Sequence, residues 1–148
     1  MEEKELKIQD NITLTLRDEI TNEIIEEITL HNLITNVGKE FVSKLINGVA
    51  TNFFDYIAIG TGVVSPSATD TTLGTEQKRQ LATLSYEASY KAKFVTTFTF
   101  ASGETWAITE LGVFDASASG NMLNRATFSA INVSPSVTLT ATVTITVS

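Results

Sequence analysis

The sequence predicts a mostly β fold, an antiparallel β-sandwich with one short α-helix over about residues 36–47. Three observations lead there. In the last eleven apolar-or-threonine positions, Val137, Leu139, Ala141, Val143, Ile145 and Val147 alternate without error with Thr138, Thr140, Thr142, Thr144 and Thr146. That period of two is the signature of a strand with one face on a core and the other facing water or another chain. Further apolar runs follow one another at hairpin spacing. Only one stretch carries a convincing helical period. At 148 residues the chain is expected to be a single domain, residues 1–148, large enough to bury a core.

The elements can be justified in order. Ile12, Leu14 and Leu16 alternate with Thr13, Thr15 and Arg17, which predicts a strand. Asp18 to Asn22 supplies turn residues. Ile24, Ile25, Ile28 and Leu30 resume with glutamates between them, and their β-branched character favours a strand over the competing helix. An acidic hairpin over about residues 1–31 results. Asn36 is placed to cap the helix. Val37, Phe41, Val42, Leu45 and Ile46 form its apolar face, and Gly48 suits a left-handed C-terminal position. Residues 53–59 read as a strand, and 60–76 as a long polar loop, a length associated with function or an interface. Strands follow over 81–88, 90–101, 106–114 and 122–131, separated by Ser102-Gly103-Glu104 and by the small residues of 115–120. Pro135 precedes the final strand. The expected core comprises Phe41, Leu45, Ile57, Ile59, Phe98, Phe114, Phe128, Leu139, Val143 and Ile145.

Composition narrows the function. Hydrophobic residues make up 43% and charged residues 18%, too apolar for disorder. No apolar run approaches the ~20 residues that span a bilayer, and the acidic start lacks the apolar segment of a secretory signal. Synthesis in the cytoplasm and no membrane insertion are therefore expected. There is no cysteine, which excludes disulfides and thiolate sites. The net charge is −7, and residues 1–30 hold nine acidic and three basic side chains, so six of the seven excess charges lie there. An acidic region disfavours nucleic acid, which needs a basic footprint. The near-neutral remainder opposes self-contact only weakly.

Each candidate site has a plainer reading. Gly60-Thr61-Gly62 follows a strand, but Val63-Val64-Ser65-Pro66 comes next where a phosphate-binding turn needs a helix and a further glycine or lysine. The single histidine, His31, has no nucleophile motif around it, and a turn hydrogen bond is the simpler role. Glu26 and Glu27 face opposite sides of a strand and guard an edge. Asp115, Asn121 and Glu110 offer oxygen ligands at a spacing that fits no calcium loop. Trp106, Tyr56, Tyr86 and Tyr90 suit a sugar site, with a core position the simpler assignment for the tryptophan. Asn11 and Asn132 sit in glycosylation patterns that have no meaning without secretion. No cofactor and no metal are expected.

Two segments carry more than this. Phe54-Asp55-Tyr56-Ile57-Ala58-Ile59-Gly60-Thr61-Gly62 leads into Pro66, Asp70, Leu73, Glu76 and Arg79. Ile108-Thr109-Glu110-Leu111-Gly112-Val113-Phe114 leads into Leu123, Arg125 and Phe128. Together with Leu33-Ile34-Thr35-Asn36 and Gly38, and in this order, they resemble a family of small tailed-phage virion proteins of the tail-fibre or tail-tip type. The resemblance runs from about Leu33 to the C-terminus. It implies structural roles: glycines for turns, apolar residues for core, and Glu110 with Arg125 as a buried or interfacial pair. It implies no catalytic residue.

The expectation is a non-enzymatic structural component of a virion, at a tail tip, fibre or baseplate, forming a symmetric homo-oligomer such as a trimer. A capsid decoration or head-fibre protein and a carbohydrate-binding adhesin, reading a host surface glycan, are the alternatives. Expected partners are copies of itself and other virion proteins. Expected interface residues are Glu23, Glu26 and Glu27 of the acidic hairpin, Gly60, Gly62, Pro66 and Asp70 of the long loop, and Thr138, Thr140, Thr142 and Thr144 of the last strand. An adaptable loop and an acidic patch would suit docking on a neighbour.

Overall fold

The computed structural model describes residues 5–148. Ten strands and one helix follow in order: β1 (Ile8–Asp18), β2 (Ile24–Leu30), β3 (Leu33–Ile34), α1 (Asn36–Ile46), β4 (Tyr56–Gly60), β5 (Glu76–Leu81), β6 (Thr83–Glu87), β7 (Lys91–Thr99), β8 (Trp106–Phe114), β9 (Met122–Val133) and β10 (Val137–Val147). They form two five-stranded antiparallel sheets, β2-β1-β10-β7-β6 and β3-β9-β8-β4-β5. The sandwich expected from the sequence is the fold observed.

The first sheet follows the sequence pattern closely. β1 and β10 pair over their full lengths, from Ile8 opposite Val147 to Asp18 opposite Val137. Ile12, Leu14, Leu139, Ala141 and Val143 are fully buried on its inner face. Its outer face is a grid of hydroxyls, because Thr13 lies opposite Thr142, Thr15 opposite Thr140, and Thr140 opposite Thr97. The Thr97 and Thr140 hydroxyls are 2.9 Å apart. Phe98 and Phe114 are the largest fully buried side chains. Ile57, Ile59, Leu139, Val143 and Ile145 are also buried as expected.

Four details differ from the sequence-based expectation. Phe41, Leu45 and Phe128 are half-buried rather than core. For the helical pair the reason is that α1 lies against β9 on one side only; Phe41 meets Phe54 edge-on at 5.4 Å between ring centres. The helix cap is Thr35, not Asn36: the Thr35 hydroxyl accepts the Gly38 N–H and donates to the Met122 carbonyl at 2.6 Å. A threonine already tied to β9 fixes where the helix can begin. Gly38 is required there, since a Cβ on it would stand 2.9 Å from Leu123 Cα. The strand expected over 81–88 is β6, and a separate strand, β5, precedes it over Glu76–Leu81. The chain leaves the second sheet after Leu81 and enters the first at Thr83, with Ala82 buried at the corner and its N–H donated to the Asp55 carbonyl. Finally, Trp106 is half-buried, edge-on to Phe100 at 6.1 Å. Gly48 ends the helical region at φ +76°, as its position suggested.

Candidate functional site

The second sheet has a covered outer face. Alternation along β8 places Leu111 and Val113 in the sandwich core, while Phe114 joins Ala58, Leu73 and Met122 in a separate apolar cluster. Leu73 comes from the 60–76 loop. The loop therefore folds over the sheet as a third layer, with Leu73 as its plug. Gly112 leaves room for that plug, because a Cβ there would be 3.1 Å from Leu73 Cδ2.

Beside the plug lies Glu110, fully buried. One carboxylate oxygen accepts the N–H groups of Gly62 and Thr75 at 2.6 and 2.7 Å. The other accepts the Gly74 N–H at 2.7 Å and the Arg125 Nε–H at 3.1 Å. Both ends of the loop thus hang on one carboxylate. Arg125 Nη1 continues to Asp70 at 3.0 Å, and the same Asp70 oxygen accepts the Ser67 N–H. Arg125 Nη2 lies 3.1 Å from Glu110 but off the line of a hydrogen bond, and no acceptor satisfies it. The middle of the loop is held by the Ala68 carbonyl, which accepts the Asn36 N–H at the start of α1.

The electrostatics follow from this geometry. Burial pushes the Glu110 carboxyl up, but the N–H groups of Thr75, Gly74 and Gly62 and the Arg125 guanidinium together hold it below the ordinary glutamate range. A buried charge needs such a set of donors to remain ionised. The glycines supply access. A Cβ on Gly60 would lie 2.7 Å from Glu110 Oε2, and one on Gly62 would lie 2.8 Å from Glu110 Cδ.

The structure thus gathers Gly60, Gly62 and Asp70 around Glu110 and Arg125, with half-buried Pro66 in the same loop. It does not bring them together with the other expected interface residues. Glu23, Glu26 and Glu27 lie exposed at β2, the edge of the first sheet. Thr138, Thr140, Thr142 and Thr144 lie half-buried on that sheet's outer face. The loop is also not the adaptable element expected: Gly60 and Gly62 are buried, and it is tied at both ends and in its middle. Its exposed apolar side chains are Val63 and Val64, 79% and 73% exposed.

Two further polar groups were less legible. Asp10 is buried on β1, where it joins the sheets: one oxygen accepts the Asn32 N–H at 2.6 Å and the other the Asn124 amide at 2.8 Å. Asn124 in turn accepts the Val113 N–H. Burial raises the Asp10 carboxyl above its ordinary value, against the hydrogen bonds from Asn124 and Asn32. His31 sits alongside, with Nδ1 3.0 Å from the Asp10 carbonyl, and Gln9, Asp10, His31 and Asn32 line a shallow cleft. The available signal was parity: Asp10 is an acid in the inward-facing register of Ile12 and Leu14. The other group is Arg79, stacked 3.7 Å from the centre of the Phe114 ring. It is bidentate to Glu76 and donates to the carbonyls of Ala116 and Ser119. It fastens the 115–120 turn to β5. Asp115 in that turn is occupied by Asn121, and burial followed by the nearby Asp115 charge raises Asp55.

The calcium site weighed from the sequence does not assemble, because Glu110 points into the loop clamp while Asp115 and Asn121 bond each other. Among the described residues no three His, Asp or Glu side chains converge as a metal site. No helix among them is long and apolar enough to cross a membrane. No protein family, curated protein or solved structure matches the chain.

Proposed function

We propose that this chain is a non-enzymatic structural component of a tailed-virus or prophage virion, at the tail tip, fibre or baseplate, working as a symmetric homo-oligomer. One observation supports the reading above the rest. The two segments that resemble tailed-phage virion proteins, together with Asp70, Leu73 and Arg125, meet in one place, and there they bind the chain to itself. Glu110 spends its acceptor capacity on loop N–H groups and Arg125. Polar groups used in this way make a rigid loop platform rather than a reactive centre. A pinned loop with Val63 and Val64 at its free surface, and an acidic β2 edge, suit fixed contacts within a particle. The three threonine-bearing strands β1, β10 and β7 add a broad face for contact between copies, with Arg17 at one end and Lys91 and Lys93 at the other.

The test is location. Purified particles of the virus or induced prophage encoding the chain, examined by mass spectrometry and cryo-electron microscopy, are expected to contain it in symmetric copies at the tail. Density on the capsid surface instead would make it a decoration or head-fibre protein. Absence from particles would overturn both.

A further inference from the structure

The two outer edges of the first sheet differ in charge and in apolar content. At one edge, β2 and its preceding turn carry Asp18, Glu19, Glu23, Glu26 and Glu27 and no base. Two such edges brought together would place like charges opposite each other, which is how natural sheets block edge pairing. At the other edge, all five residues of β6, Thr83-Leu84-Ser85-Tyr86-Glu87, are exposed, and β6 pairs only with β7. Its one acid, Glu87, is followed by Lys91 and Lys93. Leu84 and Tyr86 lie opposite Phe94 and Ala92, on the face that continues the core. They remain 41% and 72% exposed. A groove next to them is lined by Tyr86, Tyr90, Ala92, Ile145 and Val147.

We propose that β6 is a self-pairing edge: β6 of one copy pairs antiparallel with β6 of a second copy about a two-fold axis at Ser85. The occupant is a second copy because the strand is complementary to itself. Centring on Ser85 sets Leu84 opposite the partner's Tyr86 and Tyr86 opposite the partner's Leu84. It sets Thr83 opposite the partner's Glu87, so no like charges oppose each other. The contact is isologous, the commonest oligomeric symmetry. It satisfies the open backbone groups of both edges and covers both apolar pairs. The two five-stranded sheets would become one of ten strands. This rests on the self-association in the reading above and selects its contact. A β6 pair gives dimers alone, or pairs of trimers if the threonine face supplies a three-fold contact.

A short strand pair belongs to the small, weak class of interfaces, so the experiment traps it as well as weighing it. The chain has no cysteine, so Ser85→Cys introduces a single thiol. Opposed residues in an antiparallel pair have Cα atoms about 4.5–5.5 Å apart, within disulfide reach. Under mild oxidation Ser85→Cys is expected to form covalent dimer at least about tenfold faster than Thr29→Cys on the acidic β2 edge, because thiols held facing each other react faster than thiols that must first collide. Light scattering is expected to give dimers or hexamers. Leu84→Lys and Tyr86→Glu are each expected to lose the two-fold contact, and the double variant to regain it, since each lysine then faces a partner glutamate. Equal oxidation rates, or a parent that is monomeric or only trimeric, would overturn the proposal. So would a double variant as dissociated as the singles while circular dichroism shows it folded. A chain that fails these tests yet appears in virions leaves the functional reading standing.

Discussion

Two of the buried carboxylates of this sandwich are shifted in opposite directions. Glu110, in the loop clamp on the second sheet, is held below its ordinary value; Asp10, at the junction of the two sheets, is held above it. Burial raises both. Glu110 has three backbone N–H groups and a guanidinium against it, whereas Asp10 has one backbone N–H and one side-chain amide. The difference teaches that the number and charge of the donors set against the upward push of burial decide the direction in which a buried carboxyl is shifted. It also separates the roles. The Glu110 cluster holds a loop down through charge, while Asp10 joins two sheets through neutral donors.

The comparison breaks most severely at Arg125. Arg125→Met keeps much of the side-chain volume but leaves Glu110 buried without its cation and Asp70 without its partner. Removing one member of a buried pair is strongly destabilising. A loss of about 3–5 kcal/mol is expected in urea unfolding, together with faster amide exchange at Gly62, Gly74 and Thr75. Unchanged exchange there would mean that the loop does not hang on Glu110.

Replacing Glu110 by Gln tests the charge itself. The amide NH2 must point at loop N–H groups or at Arg125, leaving donor against donor, and a loss of about 1–3 kcal/mol is expected. A depressed folded pKa contributes stability above the ordinary value of 4.5 and loses it as pH falls through the folded value. The parent should therefore weaken below pH 4.5, and Glu110→Gln should lack that part of the acid loss. Parallel stability–pH curves for the two proteins would refute the charge argument.

Gly62→Ala sharpens the same side of the comparison by steric means. The added methyl meets the Glu110 carboxylate, and overpacking of this kind costs about 1–3 kcal/mol. Calorimetry should show a lower Tm, whereas Gly103→Ala, where no atom lies within 4 Å of the new Cβ, reports only the effect of its positive φ.

The smallest effect is expected at Asp10. Asp10→Asn keeps an acceptor for the Asn32 N–H but turns a donor toward the Asn124 amide, a loss of about 1 kcal/mol. Its sign with pH is opposite to that of Glu110. A raised folded pKa contributes stability below the ordinary value of 3.8 and loses it as pH rises through the folded value. Asp10→Asn should remove that decline, and an undiminished decline would assign it to Asp55 instead.

Legibility divided along physical lines. The Val137–Val147 alternation was readable because a strand's side chains follow a period of two whatever its partners, and β10 indeed buries its apolar set from Val137 to Ile145. The β1–β2 hairpin was readable from its alternation and turn residues. The cap at Thr35 was not, because it depends on carbonyls of Met122 and Leu123 far along the chain. The break at Ala82 was not, because both strands it joins have extended backbones and differ only in which sheet receives them. Of the site, Glu110, Arg125, Asp70 and the glycines could be singled out through the resemblance, but their common centre could not. Asp10 and Asn124 are joined across 114 positions, a separation on which local patterning is silent.

The sequence by itself determined the class of fold, the one helix, the uneven acidity and the inward face of each long strand, since these depend on local periodicity and composition. Tertiary structure alone decided that the 60–76 loop is a third layer pinned by a buried carboxylate, that Asp10 links the two sheets, and that one sheet edge is guarded while the other is open. Those outcomes depend on which distant donors reach a group and which neighbours cover it, quantities set only when the two sheets close on each other.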